Sequence, residues 1–369
     1  MRTYLNFNTK KLVSDFNSIN EFYTLFKNKD KLKIVKNYKN KKGRPFSIIL
    51  PTYIKISPEV VGLIVGEGFI GKRHFVFANS NKNAINEVLK FLKQFNLPLR
   101  FYLEISVKNK SRNFVDKCIL FWKNQFNIKF DRVRLRKEFC TIVKYGTLHV
   151  SLYNSLVAKL IKEIVNKSKK LMEKNKKFSI NYLKGIIAAE GNINVKKSTK
   201  CIYMIRISAS DPKEREHYKK CLKKAGIIIC CKDMLTISKE EGIAKGWKTK
   251  HGRAGAVIIS GWDNFIKIFL MGLLKLHEEK QKKFIKYFGN NKFTKQFLDF
   301  KYFLNKRFTM KEAQNYFGFK GRYLSRILTF YKKGYISRKR LNKNKFIYKL
   351  TPKYKKLFEK LKKEGVNII

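Results

Sequence analysis

Residues 60–70 read VVGLIVGEGFI, and residues 183–193 read LKGIIAAEGNI. Each stretch is a short apolar helix with small residues inside it, ending in Glu-Gly. Gly62 and Gly66 lie four apart, as do Gly185 and Ala189, so each pair shares one helix face. A glycine inside a helix costs about 1 kcal/mol against alanine. The gain that offsets it is close approach of two helix backbones. Ser57-Pro58-Glu59 supplies the start of the first helix: an N-cap, a proline at the first position and an acid in the first turn.

Each helix ends in a glutamate, Glu67 or Glu190, and the glycine after it reads as a C-terminal cap. A carboxylate is misplaced there, because the helix dipole is negative at that end. If the two helices pack side by side, the glutamates converge and raise each other's pKa unless a positive charge intervenes. Divalent cations resolve the conflict. Mg²⁺ is typically held by one or two carboxylates with phosphate oxygens and water, a layout suited to phosphodiester hydrolysis. One Glu-Gly pair alone reads as a helix stop; two on a duplicated frame point to a site.

The frame is duplicated between residues 51 and about 290. Residues 77–97 match residues 207–227 without a gap, each reading as a strand end, a serine at 80 or 210, then an amphipathic helix. Residues 144–156 line up with 253–265: a basic residue, a glycine two later, an apolar strand, then a serine and another helix. Each half therefore reads as helix, strand pair, helix, strand pair, helix. The domains expected are a basic, irregular extension over 1–50, a first half over 51–165, a second over 166–290 and a separate module over 293–369. Within the extension, residues 28–44 form a charge run that serves as a solvated arm or touches phosphates.

The 369 residues carry 84 Lys+Arg against 26 Asp+Glu, a formal net charge of +58. Such an excess repels itself and is best relieved by a polyanion. Nucleic acid is the natural one, since each neutralised phosphate releases counterions; the bland alternative is a lysine-biased composition. No apolar stretch reaches the roughly 18–20 residues of a membrane span, and the N-terminus has no apolar core of a secretory signal. The cysteines (118, 140, 201, 221, 230, 231) form no C-x-x-C pair, so a structural zinc site is not expected and reduced thiols in a cytoplasmic, nucleoid-associated protein are. The five histidines show no paired spacing, and Cys230-Cys231 reads as strand filling.

The third part reads as helices over 295–305, 309–316 and 321–333 with a turn at Gly318. Strands over 335–341 and 345–350 follow, then a last helix capped by Thr351-Pro352. Ala313, Phe317, Leu324, Ile327 and Leu328 can lock the third helix on the second. That leaves Lys320, Arg322, Tyr323, Ser325 and Arg326 toward solvent, suited to base edges and phosphates. The following hairpin carries Arg338, Lys339, Arg340, Lys343 and Lys345. This part resembles a winged helix-turn-helix DNA-binding domain; a three-helix protein-interaction module is the alternative.

The two Glu-Gly helices resemble the motif of the LAGLIDADG homing endonucleases in its two-copy, single-chain form. The resemblance covers roughly residues 51–290. It implies an α+β fold of two pseudo-symmetric αββαββα halves forming a DNA-binding saddle, to which the winged helix-turn-helix is appended. The motif's eighth position, the metal-binding acid, falls on Glu67 and Glu190. Its third and seventh positions, which pack the helices, fall on Gly62, Gly66, Gly185 and Ala189. The sixth position, often acidic, is Val65 and Ala188 here. The family often places a basic residue on a late strand of each half near the scissile phosphate; Lys144 and Arg253 match, with Lys248 and Lys250 as rivals. The function implied is a monomeric, Mg²⁺- or Mn²⁺-dependent endonuclease that cuts double-stranded DNA at a long specific site and serves intron mobility. The alternatives are an RNA maturase that grips intron RNA and a non-cleaving DNA-binding regulator.

Overall fold

The lysine-rich N-terminus is built of strands. A computed structural model describes residues 3–16, 21–38, 46–107, 112–136, 144–229, 234–237, 254–318, 324–342 and 345–366. In it β1 (Leu5–Asn8) and α1 (Thr9–Ser14) precede an antiparallel meander of β2 (Glu21–Asn28), β3 (Lys31–Tyr38) and β4 (Phe46–Pro51), and β5 (Tyr53–Ile56) pairs back onto β1. The irregular arm expected from composition is thus corrected. Leu32, Ile34, Ile48 and Leu50 alternate along β3 and β4 and are buried, while Lys31 and Lys33 take the opposite face. The period of two is that of a half-buried strand, and the surrounding lysines hide it.

The chain divides into two compact units, one of Met1–Asn192 with Ile205–Lys280 and one of Ile193–Met204 with Gln281–Ile369. In the first, α2 (Pro58–Glu67) is followed by β6 (Gly68–Ile70), β7 (Phe75–Asn79), α3 (Lys82–Leu92), β8 (Leu99–Ser106), α4 (Arg112–Phe126), β9 (Arg132–Arg136), β10 (Thr147–Leu152) and α5 (Ser155–Lys174). Then come α6 (Lys176–Glu190), β11 (Gly191–Val195) and β12 (Ile202–Ser208), of which Ile193–Met204 belongs to the second unit, and α7 (Pro212–Ala225), β13 (Met234–Ile237), β14 (Ala254–Ile259) and α8 (Trp262–Met271). The sheet orders are β6-β7-β10-β8-β9 and β11-β12-β14-β13. The second order is that of the first without β9. The extra pieces, α4 and the parallel strand β9, depart from the plain helix and strand-pair expectation. Trp122 anchors α4, buried with its indole N–H donating to the Tyr145 carbonyl at 2.8 Å.

Local chemistry sets the helix ends. Ser57 Oγ accepts from Val60 N with Pro58 at the first position of α2. Asn81 and Asp211, each one residue after the matched serines at 80 and 210, cap α3 and α7. Asn175 is the single residue between α5 and α6; its side chain accepts from Lys177 N and Phe178 N, and its N–H donates to Leu171 O. The apolar helix pair α2 and α6 packs lengthwise, flanked by α3, α5 and α7.

The second unit contains α9 (Glu278–Phe288) from Gln281 onward, α10 (Lys292–Asp299), a 3₁₀ turn over Phe300–Phe303, β15 (Arg307–Thr309), α11 (Met310–Phe317), α12 (Leu324–Lys332), β16 (Ile336–Asn342), β17 (Lys345–Leu350) and α13 (Pro352–Lys363). Its core is aromatic: Phe297, Phe300, Phe303, Phe308, Phe330 and Tyr354 are buried, and Tyr354 OH donates to Phe297 O at 2.6 Å. Thr309 and Glu312 form a reciprocal capping box on α11, Gly318 ends that helix at φ 66°, and Thr351 caps α13. The short strand β15, which joins β17 and β16 in a three-stranded sheet, was not anticipated. Ile327 is buried as expected of a locking position, but Leu328 is exposed, so that contact is corrected: it lies one step round the helix from the buried stripe. No helix among the described residues is long and apolar enough to cross a membrane.

Candidate metal and nucleic-acid site

The α2–α6 contact is backbone on backbone. A Cβ on Gly62 would stand less than 3.0 Å from Tyr182 O and Ile186 N; one on Gly185 would meet Glu59 O and Leu63 N as closely. One turn further on, a Cβ on Gly66 would run into Ala189 Cβ. Only glycine fits at the two central positions, and the crossing brings the two helix ends together.

Glu67 and Glu190 are the last residues of these helices. Gly68 and Gly191 cap them with φ of −88° and −73°, ordinary extended backbone and not the left-handed turn expected of a glycine cap. Their need for glycine is steric. The chain turns directly into β6 or β11, and a Cβ would collide with Ile64 O or Ile187 O. Each carboxylate is thereby held at a fixed exit from the helix pair.

Electrostatics at the pair are strained. Burial raises the Glu67 carboxyl above its ordinary value, with Lys280 opposing. Burial and the nearby Glu67 push Glu190 up to about 7, again against Lys280. Lys280 appears in no motif. It lies in the first turn of α9, and its ammonium donates to Ile187 O at 3.1 Å, Ala188 O at 2.6 Å and Ala189 O at 3.1 Å. Burial pulls it down to about 8 while both glutamates resist.

The donor set suits a hard divalent cation. Two carboxylates converge, and among the described residues no group of three or more His, Cys, Asp or Glu is gathered for a metal. Mg²⁺ or Mn²⁺ held by Glu67 and Glu190, with water and phosphate oxygens completing the shell, fits.

A pH dependence follows. Folded Glu190 keeps its proton up to about pH 7, whereas an unfolded glutamate loses it near 4.5. The contribution to stability is full below about 4.5 and is lost as pH rises through 7. Lys280, lowered from 10.5 to about 8, acts in the opposite sense and at higher pH, stability rising between those two values. The metal-free protein should thus lose stability between pH 4.5 and about 7, and Glu190→Gln should flatten that slope. Thermal melts across this range test it: identical slopes in the two proteins would refute the assignment. Mn²⁺ affinity should climb over the same window, because the ion must displace the proton.

A polar sheet face accompanies the site. In the β6–β10 sheet the inward rows are Phe75, Phe77, Leu103, Ile105, Leu148 and Val150. The strand registers place Arg100, Tyr102, His149, Arg132, Arg134 and Arg136 on the other face. Arg136 pairs with Glu104 at 2.8 Å. Burial, with Arg136 nearby, lowers the His149 pKa. These residues could not be assigned from sequence, because strand facing depends on register.

Lys144 lies exposed in the turn before β10, its ammonium 5.0 Å from the Tyr145 ring. Arg253, Lys248 and Lys250 lie outside the described residues, as do Lys320, Arg322, Tyr323, Lys343, His251, Cys140 and Cys230-Cys231. Ser325 is exposed; Arg326 is half-buried, its guanidinium 3.8 Å from the Phe293 ring, and so is less free than a solvent-facing reader. Arg338 stands over Tyr331 at 4.4 Å and Phe346 at 4.8 Å, and Arg340 is exposed on the same strand. His74 stacks on Tyr153 at the surface, and buried His217 meets Glu173 at 2.8 Å, so both have structural partners.

No family model and no curated protein matches the chain. Among solved structures, I-DmoI in complex with its target DNA in the presence of magnesium is similar over 59% of this chain and 94% of that chain, at 13% identity and a TM-score of 0.33.

Proposed function

We propose that the chain is a metal-dependent, site-specific double-strand DNA endonuclease of the LAGLIDADG homing type, acting as a monomer with a winged-helix reader at its C-terminus. The observation that carries this reading is the convergence of Glu67 and Glu190 at a glycine-packed helix crossing. The formal charge of +58 supports a polyanionic substrate. So does the arginine-bearing sheet face.

Glu67 and Glu190 would hold the ion, each fixed by the helix end and the glycine after it. When bound, Mg²⁺ or Mn²⁺ supplies Lewis-acid polarisation of a phosphoryl oxygen and a more acidic water. Arg100, Arg132 and Arg134 bind the DNA backbone or base edges from the open sheet face. Lys144 and Arg253 are the basic residues proposed near the scissile phosphates. Arg338 and Arg340 on the C-terminal hairpin add phosphate contacts, and Lys320, Arg322, Tyr323, Ser325 and Arg326 are the residues proposed to read the DNA. Mobility of an intron or other intervening element is the biological role that suits a long target.

Incubating the full chain with Mg²⁺ and a randomised duplex library tests the proposal. Cut products should share one long sequence. Affinity for that sequence should fall with salt, the log–log slope growing by about 0.9 per phosphate contacted. Tight binding with no cleavage in either Mg²⁺ or Mn²⁺ would leave a DNA-binding regulator instead, and a slope near zero would remove the polyanion grip.

A further inference from the structure

Lys280 stands between the parts of the site without belonging to either motif. Its three N–H donors are all used, on three consecutive carbonyls of the last turn of α6. Those carbonyls carry the negative end of the helix dipole. The same turn ends in Glu190, and the ammonium also acts on Glu67. His277 lies three residues earlier on the same segment. Its Nδ1 faces the Lys280 backbone N–H at 3.4 Å, and burial holds its pKa at about 4, so the ring is neutral at physiological pH and adds no second charge. One cation thus faces two carboxylates and a dipole of the same sign.

We propose that Lys280 is the resting counter-ion of the carboxylate pair: a positioning residue whose ammonium fastens the end of α6, offsets the charge of Glu67 and Glu190, and opposes a divalent ion that binds there. Only the last clause rests on the metal reading of the pair. The counter-ion role rests on the ammonium being fastened to the last turn of α6, next to Glu190, and on its charge acting on both carboxylates. It explains how two glutamates can share a helix crossing in the absence of an ion, and it sets metal affinity below what the bare pair would reach.

The test uses the full chain at neutral pH as wild type, Lys280→Gln, Lys280→Met, Glu190→Gln and the two Lys280/Glu190 double variants. Lys280→Gln keeps two donors for the carbonyls and removes only charge, so it isolates the counter-ion from simple capping and covers the case in which Lys280→Met fails to fold. Each Lys280 variant should lower the melting temperature by several degrees. Adding Glu190→Gln should recover much of that loss, because the repulsion disappears with the second charge. Additive losses in the doubles would overturn the counter-ion role.

Calorimetric titration with Mn²⁺ supplies the second readout. Removing a positive charge favours protons and metal alike, but a divalent ion gains twice what a proton gains from the same change in potential. Lys280→Gln should therefore bind Mn²⁺ more tightly, by roughly three- to tenfold. Unchanged or weaker binding would overturn the opposition between Lys280 and the ion. Recovery of stability in the doubles with no Mn²⁺ binding by any of the proteins would keep the counter-ion and remove the metal reading.

Discussion

Replacing Glu190 by glutamine should leave the protein folded and bound to DNA while cutting double-strand cleavage by about a thousandfold or more, the rate equivalent of the several kcal/mol a bound metal supplies. Glutamine keeps the shape of glutamate and removes the anionic ligand. Folding should not suffer, because the carboxylate it replaces is already raised to about 7 by burial and by Glu67. Glu67→Gln should behave alike for cleavage. The measurement is a paired one: plasmid linearisation in Mg²⁺ and gel-shift affinity for the same target. Full cleavage by the double Gln variant would end the assignment. Loss of affinity in step with loss of cleavage would mean instead that the pair shapes the DNA-binding surface.

Gly185→Val should destabilise the first unit by about 3 kcal/mol or more, at the upper end of the cost of overpacking. The obstacle is rigid: the added carbons would meet Glu59 O and Leu63 N, both backbone of α2. Side chains can turn away, but two helices in backbone contact can only separate. Even Gly185→Ala, which gains about 1 kcal/mol of helix propensity, should lose on balance. Gly66→Ala makes a useful contrast, because its neighbour is the Ala189 side chain; Ala189→Gly in the same protein should restore much of the stability. Chemical denaturation measures all four. Tolerance of valine at 185 would contradict the close crossing.

Features written in short-range chemistry could be read from the sequence. Ser57-Pro58 and Thr351-Pro352 announce helix starts because a cap bonds to residues two or three away. The doubled Glu-Gly pattern made Glu67 and Glu190 visible because repetition filters chance. Lys280 was invisible for the opposite reason: it lies 90 residues from Glu190 in the chain, among many other lysines, and gains its role only from tertiary contact. The N-terminal meander was masked by lysines interleaved with Leu32 and Ile34. The open face of the first sheet awaited register, since a shift of one residue exchanges the faces. Gly68 and Gly191 read as caps of the usual left-handed kind, yet crowding against Ile64 O and Ile187 O is what excludes a side chain there.

Asn175 gives the arrangement a rotational consequence. As the one residue joining the 20-residue α5 to the 15-residue α6, it is bonded into both helices and leaves no slack to absorb a twist. The angular phase of α6 is therefore imposed from its start by α5 and from its middle by the glycine crossing. A helix advances about 100° per residue, so a single added or lost residue at this joint would demand that Glu190 swing away from Glu67 or that the crossing give up its glycines. The chain behaves here like a keyed shaft, in which the azimuth of the carboxylate is indexed 15 residues before the carboxylate itself appears.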